Sequence, residues 1–338
     1  MRKALRAFCC WLLVPYRQGN GASPCREVGA QVPVGTNRLV ASSKQQKASS
    51  QESLAHWHPV CIPQAMARST TFLLAGLAVL TMSFGQAKSP APGATGAKGY
   101  NQLREIKHEA FKPGEKLTYV VHYGWVNAGE AVVELKESDR EVLGRKVWVA
   151  TGTGRSLGAF NTFFKVDDYY ETHFDAKGVF PYAFIRRVSE GGYNFSQDYV
   201  YNQVKGEVTT QKKQTHKVPS GVQDMLSAFY FARTLDLANA KEGDVFTIET
   251  FLDDELWPLR MKYMGKETIK LRNGKYRCLK FQPVVQEGRI FKGNDDLNVW
   301  ITDDGNRIPV LAQAKVLVGS IKMELSAYEG LSHTIAKE

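Results

Sequence analysis

Beyond residue 110 the chain alternates. Leu117, Tyr119, Val121 and Tyr123 fall at every second position, as do Ala131, Val133 and Leu135. A period of two marks a strand with one buried face. The two runs predict a hairpin turning at Asn127-Ala-Gly-Glu130. The same alternation predicts strands around Lys146 to Thr151, Val166 to Phe174, Phe180 to Val188, Tyr193 to Tyr201 and Phe246 to Leu252. It predicts five more around Trp257 to Met264, Tyr276 to Gln282, Leu297 to Thr302, Val310 to Val318 and Ile321 to Tyr328. Asp175-Ala-Lys-Gly178, Glu190-Gly-Gly192, Asn273-Gly274 and Asp304-Gly305 separate them, and these residue types tolerate the positive φ of tight turns. Consecutive strands with short turns make an antiparallel meander. The expected fold is mainly β, a curved sheet or half-open barrel.

One stretch departs from this period. Val222, Met225, Leu226, Phe229, Tyr230 and Arg233 are spaced as on a helix, which predicts one amphipathic helix over about 220–235 packed on the sheet. Ser220 is its expected N-cap, with Asp224 in the first turn. Its Met and aromatic stripe reads as core before it reads as a ligand box.

The N-terminal part has a different character. Ala65-Met-Ala-Arg68 precedes an uncharged, apolar run from Phe72 to Phe84 and then Gly85-Gln-Ala87. A basic start, a short apolar run and small residues before a cleavage point describe a secretory signal peptide over 66–87. The run is shorter than the roughly 20 apolar residues that span a bilayer. No cysteine lies near the cleavage point, so a lipoprotein is not expected. Because such signals are read at the N-terminus, Met66 is the expected start and residues 1–65 an upstream extension, without either structural period. Residues 88–110, rich in Pro, Gly and Ala at their start, read as a linker. A single β-rich domain is expected over 111–330, with a tail at 331–338. The expected location is the periplasm of a Gram-negative bacterium.

Composition changes meaning once this is allowed for. The 338 residues are 43% hydrophobic and 23% charged, ordinary for a globular chain, with net charge +10. Such a charge points to nucleic acid or an anionic surface. Residues 1–87 hold nine Lys/Arg and two acids, which leaves 35 basic against 32 acidic residues and a net +3 in the remainder. No nucleic-acid partner is therefore expected. Of the cysteines Cys9, Cys10, Cys25, Cys61 and Cys278, only the last lies in the expected domain, which excludes an internal disulfide there.

Motifs with a chemical meaning are few. Gly154-Arg-Ser156-Leu-Gly158 matches the nucleophile elbow G-x-S-x-G, but that elbow belongs to a parallel α/β sheet with an acid and then a histidine following. Here the surroundings alternate as antiparallel β, and a glycine-rich loop is the simpler reading. His108, His122, His173, His216 and His333 share no metal-ligand spacing. Glu171 and His173 share one strand face, as a solvated polar face also would. The acidic pairs near Asp295 and Asp303 lack the glycine and terminal glutamate of a calcium loop. No metal and no cofactor are expected.

The most informative surface lies across the strands from Val166 to Tyr201. A period of two puts Asp168, Tyr170 and Phe174 on one face, with Tyr182, Phe184 and Arg186, then Phe195, Tyr199 and Tyr201. Trp257, Leu259, Met261 and Tyr263 add a second aromatic edge. Aromatic layers are usually core. Asp168 and Arg186 among them are costly to bury unless paired or reached by a polar ligand. Asp168, Tyr170, Tyr182, Arg186, Tyr199 and Trp257 are thus the candidate ligand-binding residues for a hydrophobic or lipid-like molecule. The competing expectation is a periplasmic hydrolase of an envelope polymer using Ser156, Asp168, Glu171 and His173.

Phe111-Lys-Pro-Gly-Glu-Lys-Leu-Thr-Tyr119, Phe164-Lys-Val-Asp-Asp-Tyr169, Phe180-Pro-Tyr182 and Glu190-Gly-Gly192 follow one another in a recognisable order. With them come Val222-Gln-Asp-Met-Leu-Ser-Ala-Phe-Tyr-Phe-Ala-Arg233 and Trp300-Ile-Thr-Asp-Asp-Gly-Asn-Arg-Ile-Pro309. Together, over roughly residues 111 to 330, they resemble the exported bacterial proteins of domain of unknown function 3108 (DUF3108). The resemblance implies a periplasmic β-rich domain and no established activity. The layout is also similar to half-barrel lipoprotein carriers that wrap a sheet around a helix, a likeness of fold alone. The expected function is non-enzymatic: binding of a hydrophobic ligand or an envelope partner in a concave aromatic face.

Overall fold

The computed structural model describes residues 103–284, 297–315 and 319–338. The predicted signal segment, everything before it and most of the predicted linker lie outside these residues. The described chain forms β1 (Lys116–Tyr123), β2 (Val126–Val142), β3 (Arg145–Ser156), α1 (Gly158–Phe163), β4 (Asp167–Asp175), β5 (Pro181–Glu190), β6 (Tyr193–Asn202), β7 (Glu207–Thr210) and β8 (Thr215–Lys217). There follow α2 (Met225–Ala232), β9 (Val245–Leu252), β10 (Glu255–Leu271), β11 (Gly274–Pro283), β12 (Leu297–Thr302), β13 (Pro309–Lys315) and β14 (Ser320–Glu329).

All 14 strands belong to one antiparallel sheet, ordered β8-β7-β6-β5-β4-β3-β2-β1-β14-β13-β12-β11-β10-β9. Every neighbour is adjacent in sequence except β1 and β14, which join the first strand to the last. The ladder does not close, because β8 and β9 are not paired to each other. This is the expected mainly β, half-open architecture. Among the described residues, no helix is long and apolar enough to cross a membrane.

Local chemistry moves several boundaries. The first hairpin turns at Gly124-Trp125 and not at Asn127 to Glu130, because Asn127 and Gly129 already pair with His122 and Val121. A bulge between Val121 and His122 leaves Ala128 of β2 as an extra residue without a partner on β1. Val121 is half-buried, and His122 is buried with its Nε2 3.4 Å from the Glu324 carboxylate. The helix begins at Met225, later than predicted, and Asp224 is its cap in place of Ser220. The Asp224 carboxylate accepts from the backbone N–H of Leu226 and Ser227 at 2.8 and 2.9 Å, and the Ser227 hydroxyl accepts from the Asp224 N–H at 2.9 Å. This reciprocal box satisfies donors that a helix start leaves open. The segment ahead of Phe111 also makes ordered contacts, with Arg104 donating to the carbonyls of Gly178 and Val179 at 2.8 Å each.

The packed interior gathers around the C-terminal half of α2. Tyr230 stacks on Phe174 at 5.6 Å and meets Phe111 edge-on at 4.8 Å. Arg233, only 2% exposed, forms a two-pronged ion pair with the buried Glu115 at 2.6 and 2.7 Å. Its remaining donors reach the carbonyls of Ala110 and Asn306, each at 2.9 Å. A buried pair is stable when its leftover valences are met in this way. Nearby, burial pushes the Cys278 thiol up to about 12.

The unpaired ends of the sheet meet through side chains. The β9–β10 turn, Asp253-Asp254, has φ of 50° and 64°, the doubly left-handed shape that suits a two-residue hairpin. Its Asp253 carboxylate pairs with Arg186 of β5 at 3.1 Å. Tyr199 of β6 donates to the Asp254 carboxylate and accepts from the Asp254 N–H, both at 2.8 Å. Phe251 of β9 lies 5.1 Å from the Tyr199 ring and 5.2 Å from the His216 ring of β8.

Candidate functional site

The site begins with what β3 lacks. Along this strand Ala150, Gly152, Gly154 and Ser156 share one face, turned toward α2, while Thr151, Thr153 and Arg155 face outward. Gly152 stands between Val133 of β2 and Tyr170 of β4, and Gly154 between Ala131 and Asp168. Gly129 of β2 sits opposite Ser156. The sheet thus presents glycine and alanine at this end of β2 and β3, whereas Leu135 and Phe174 stand further along β2 and β4, opposite Ala150 and Trp148. Small residues in a strand mark a place where something else approaches closely.

The helix fills this space only in part. A Cβ at Gly152 would meet Leu226 Cδ2 at 3.3 Å, whereas at Gly154 the only heavy atom within 4 Å is Asp168 Cβ, at 3.8 Å. What remains is a cleft of about 60 Å³, partly open to solvent, between Met225, Leu226 and Phe229 of α2 and strands β1 to β4. Val121, Ala131, Val133 and Met323 complete an apolar lining, with Asp168 and Ser156 as polar members. A space of this size holds the end of a chain. Whole drug-sized ligands occupy pockets of roughly 300 Å³ or more.

Asp168 and Tyr170, two of the predicted residues, line this cleft. Asp168 is 2% exposed and accepts from the Ser189 N–H at 2.9 Å. Arg186 stands behind Tyr170, its guanidinium 5.8 Å from that ring and 5.2 Å from the Phe195 ring. Burial raises the pKa of Asp253, the partner of Arg186, against the guanidinium's opposite pull. Tyr199 belongs to the meeting of the sheet ends, and Trp257 packs half-buried beside the cluster that contains Phe251 and Leu252. Tyr182 is elsewhere. Its hydroxyl donates to Asp175 at 2.8 Å, beside Arg145, which grips the same carboxylate at 2.6 and 2.7 Å. Burial opposes ionisation of Asp175, but the bonds from Arg145, Gly178 and Tyr182 outweigh it and hold the carboxyl below its ordinary value.

The hydrolase grouping is not assembled. Ser156 ends β3 instead of turning into a catalytic elbow, and its hydroxyl donates to Asn161 Oδ1 at 2.8 Å while accepting from the Val166 N–H at 2.9 Å. Glu171 and His173 alternate with the inward residues of β4, so they occupy the opposite face of the sheet from Asp168 and Ser156. There His173 Nε2 contacts Glu171 at 2.7 Å, and Tyr169 donates to the same carboxylate. Among the described residues, no three His, Cys, Asp or Glu side chains gather as a metal site.

Sequence reasoning missed the glycines and the helix side of the cleft. The alternation Ala150, Gly152, Gly154 was a readable signal for both.

The family model described as "Protein of unknown function (DUF3108)" matches residues 118–326. No curated protein matches. Among solved structures, the chain is similar to a β-barrel-like protein of domain of unknown function DUF1849 from Brucella abortus, at 10% identity and a TM-score of 0.44, covering 65% of this chain and 98% of that one. A DUF1089 family protein from Pseudomonas aeruginosa matches at 11% identity and a TM-score of 0.30, over 53% of this chain and 87% of its own. The hypothetical protein CT021 from Chlamydia trachomatis matches at 8% identity and a TM-score of 0.31, over 68% and 93%.

Proposed function

The chain belongs to the DUF3108 family, whose name assigns it no activity, and on that premise we propose that it is an exported, non-catalytic binding protein of the Gram-negative periplasm. It holds the apolar end of a lipid-like ligand in the cleft between α2 and β1 to β4. The observation that carries this reading is the room beside Gly154: Leu226 takes the place of a side chain at Gly152, but no helix atom lies within 4 Å of a Cβ at Gly154, which leaves apolar walls with little to fill them. Apolar walls favour hydrocarbon, at about 25 cal/mol per Å² removed from water. Asp168 and Ser156, at one side, suit a polar group where the chain ends. Export is supported by the pattern of residues 66–87.

Native mass spectrometry of protein purified from the periplasm, before and after delipidation, tests both parts. The expected result is a mass adduct that delipidation removes and that a fatty acid restores. A protein that carries no adduct and takes up no fatty acid overturns the binding reading. Recovery of the chain only in the cytoplasm overturns export.

A further inference from the structure

Among the described residues, the reversals between β1 and β2, β3 and β4, β5 and β6, β7 and β8, and β9 and β10 stand at the same end of the sheet, because antiparallel neighbours alternate direction. The cleft lies at this end, since Ala128 and Gly129 begin β2, Ser156 ends β3 and Val166 precedes β4. Exposed apolar side chains collect there too. Trp125 at the tip of the first hairpin is 99% exposed, Phe163 in α1 is 85% exposed, and Val126 and Leu256 are 52% and 43% exposed. α1 is held to the start of β2 by the bond from Leu157 N–H to the Ala128 carbonyl at 2.9 Å, so Phe163 and Trp125 flank the same cleft lining.

We propose that this end of the sheet docks on a lipid bilayer, inserting Trp125 and Phe163 into its interfacial layer. The inference rests on the cleft being the binding site and names where its cargo is exchanged. The exposed side chains stand on three turns, Trp125 with Val126 on the first, Phe163 on the second and Leu256 on the third. Isolated aromatic side chains on turn tips suit a fluid interface, where Trp rings are favoured at headgroup depth. An acyl chain leaving the bilayer at this end enters an apolar cleft without crossing water. Lys165, exposed two residues beyond Phe163, suits a phosphate headgroup.

The test is hydrogen exchange of the full chain, read segment by segment, with and without phosphatidylcholine vesicles. Exchange is expected to slow over 124–127 and 158–164 and to stay unchanged over 142–145, the turn at the opposite end. Trp125→Ala with Phe163→Ser should weaken the vesicle effect about tenfold or more. Leu143→Ser, which removes an apolar side chain 70% exposed at that opposite end, should leave it as it was. Vesicles that do not slow exchange over 124–127 and 158–164, or a double variant as protected as the parent, overturn the proposal. A fluorescent fatty acid without vesicles separates this from the binding reading. Probe uptake with no protected end sinks docking alone, and a protected end with no probe uptake sinks the cleft alone.

Discussion

The two halves of α2 meet the same sheet under opposite conditions. Its C-terminal half, Tyr230 and the capping Arg233, faces Phe111, Tyr119, Phe174 and Glu115, and every gap is filled by a ring or a charge with its partner. Its N-terminal half, Met225 and Leu226, faces Gly152 and Gly154 and leaves a cleft. The difference has two sources: the helix residues are larger at the C-terminal half, Tyr230 and Arg233 against Met225 and Leu226, and β3 lacks side chains at Gly152 and Gly154 beside the N-terminal half, which otherwise packs on Tyr170, Phe184, Tyr199 and Phe251.

Substitutions should therefore separate the two ends. The largest effect is expected at the anchored end. Glu115→Leu strands the buried Arg233 charge and should destabilise the fold by about 3–5 kcal/mol, measured by urea unfolding. A loss below about 1 kcal/mol would show that the ion pair is not what fixes the helix.

Next comes the start of the helix. Burial raises the Asp224 carboxyl from its ordinary value to about 6, against hydrogen bonds from Thr172, Ser227 and Leu226 that favour ionisation. The folded state then holds a proton that the unfolded chain gives up. The resulting stability is fully present below the ordinary carboxylate pKa and is lost as pH rises through about 6, by at most about 3 kcal/mol. Thermal melts between pH 4 and 7 should show this slope, and Asp224→Asn should flatten it relative to the parent. An unchanged slope in the variant would place the proton elsewhere.

The smallest stability change is expected at the open end. Gly154 has no left-handed φ and room for a Cβ, so Gly154→Val should shift stability by no more than about 1 kcal/mol. The same change should abolish fatty-acid uptake by filling the cleft. Retained uptake at normal stability would mean that the ligand sits somewhere else.

Much of this was legible from alternation. β4, β5 and β6 fell where a period of two put them, with Asp168, Tyr170, Phe174, Tyr182, Phe184, Arg186, Tyr199 and Tyr201 all buried. β7 and β8 were missed because four and three residues are too few to display a period. β3 was predicted to stop at Thr151, since Gly152-Thr-Gly154 resembles a loop when only local preference is weighed. Pairing on both sides, with β2 and with β4, holds those glycines extended to Ser156. The same error concealed the cleft, whose wall is made by the residues that looked like a turn. Ser220 was preferred over Asp224 as cap because the reciprocal partner, Ser227, was not weighed as a capping-box residue.

The contact between Asp253-Asp254 and the β5–β6 pair has a geometric consequence. In a fully laddered barrel, strand number and stagger together set the radius, and any change of girth must break a whole row of backbone bonds. Here the circumference is completed by the Arg186–Asp253 ion pair, the Tyr199 hydroxyl, edge-on and tilted rings, and a short parallel backbone bridge from Gln223, just ahead of α2, to β9 at Thr250. The chain that leads into the helix thus acts as the clasp of the open sheet, so a shift of α2 and a change of girth are one motion and not two.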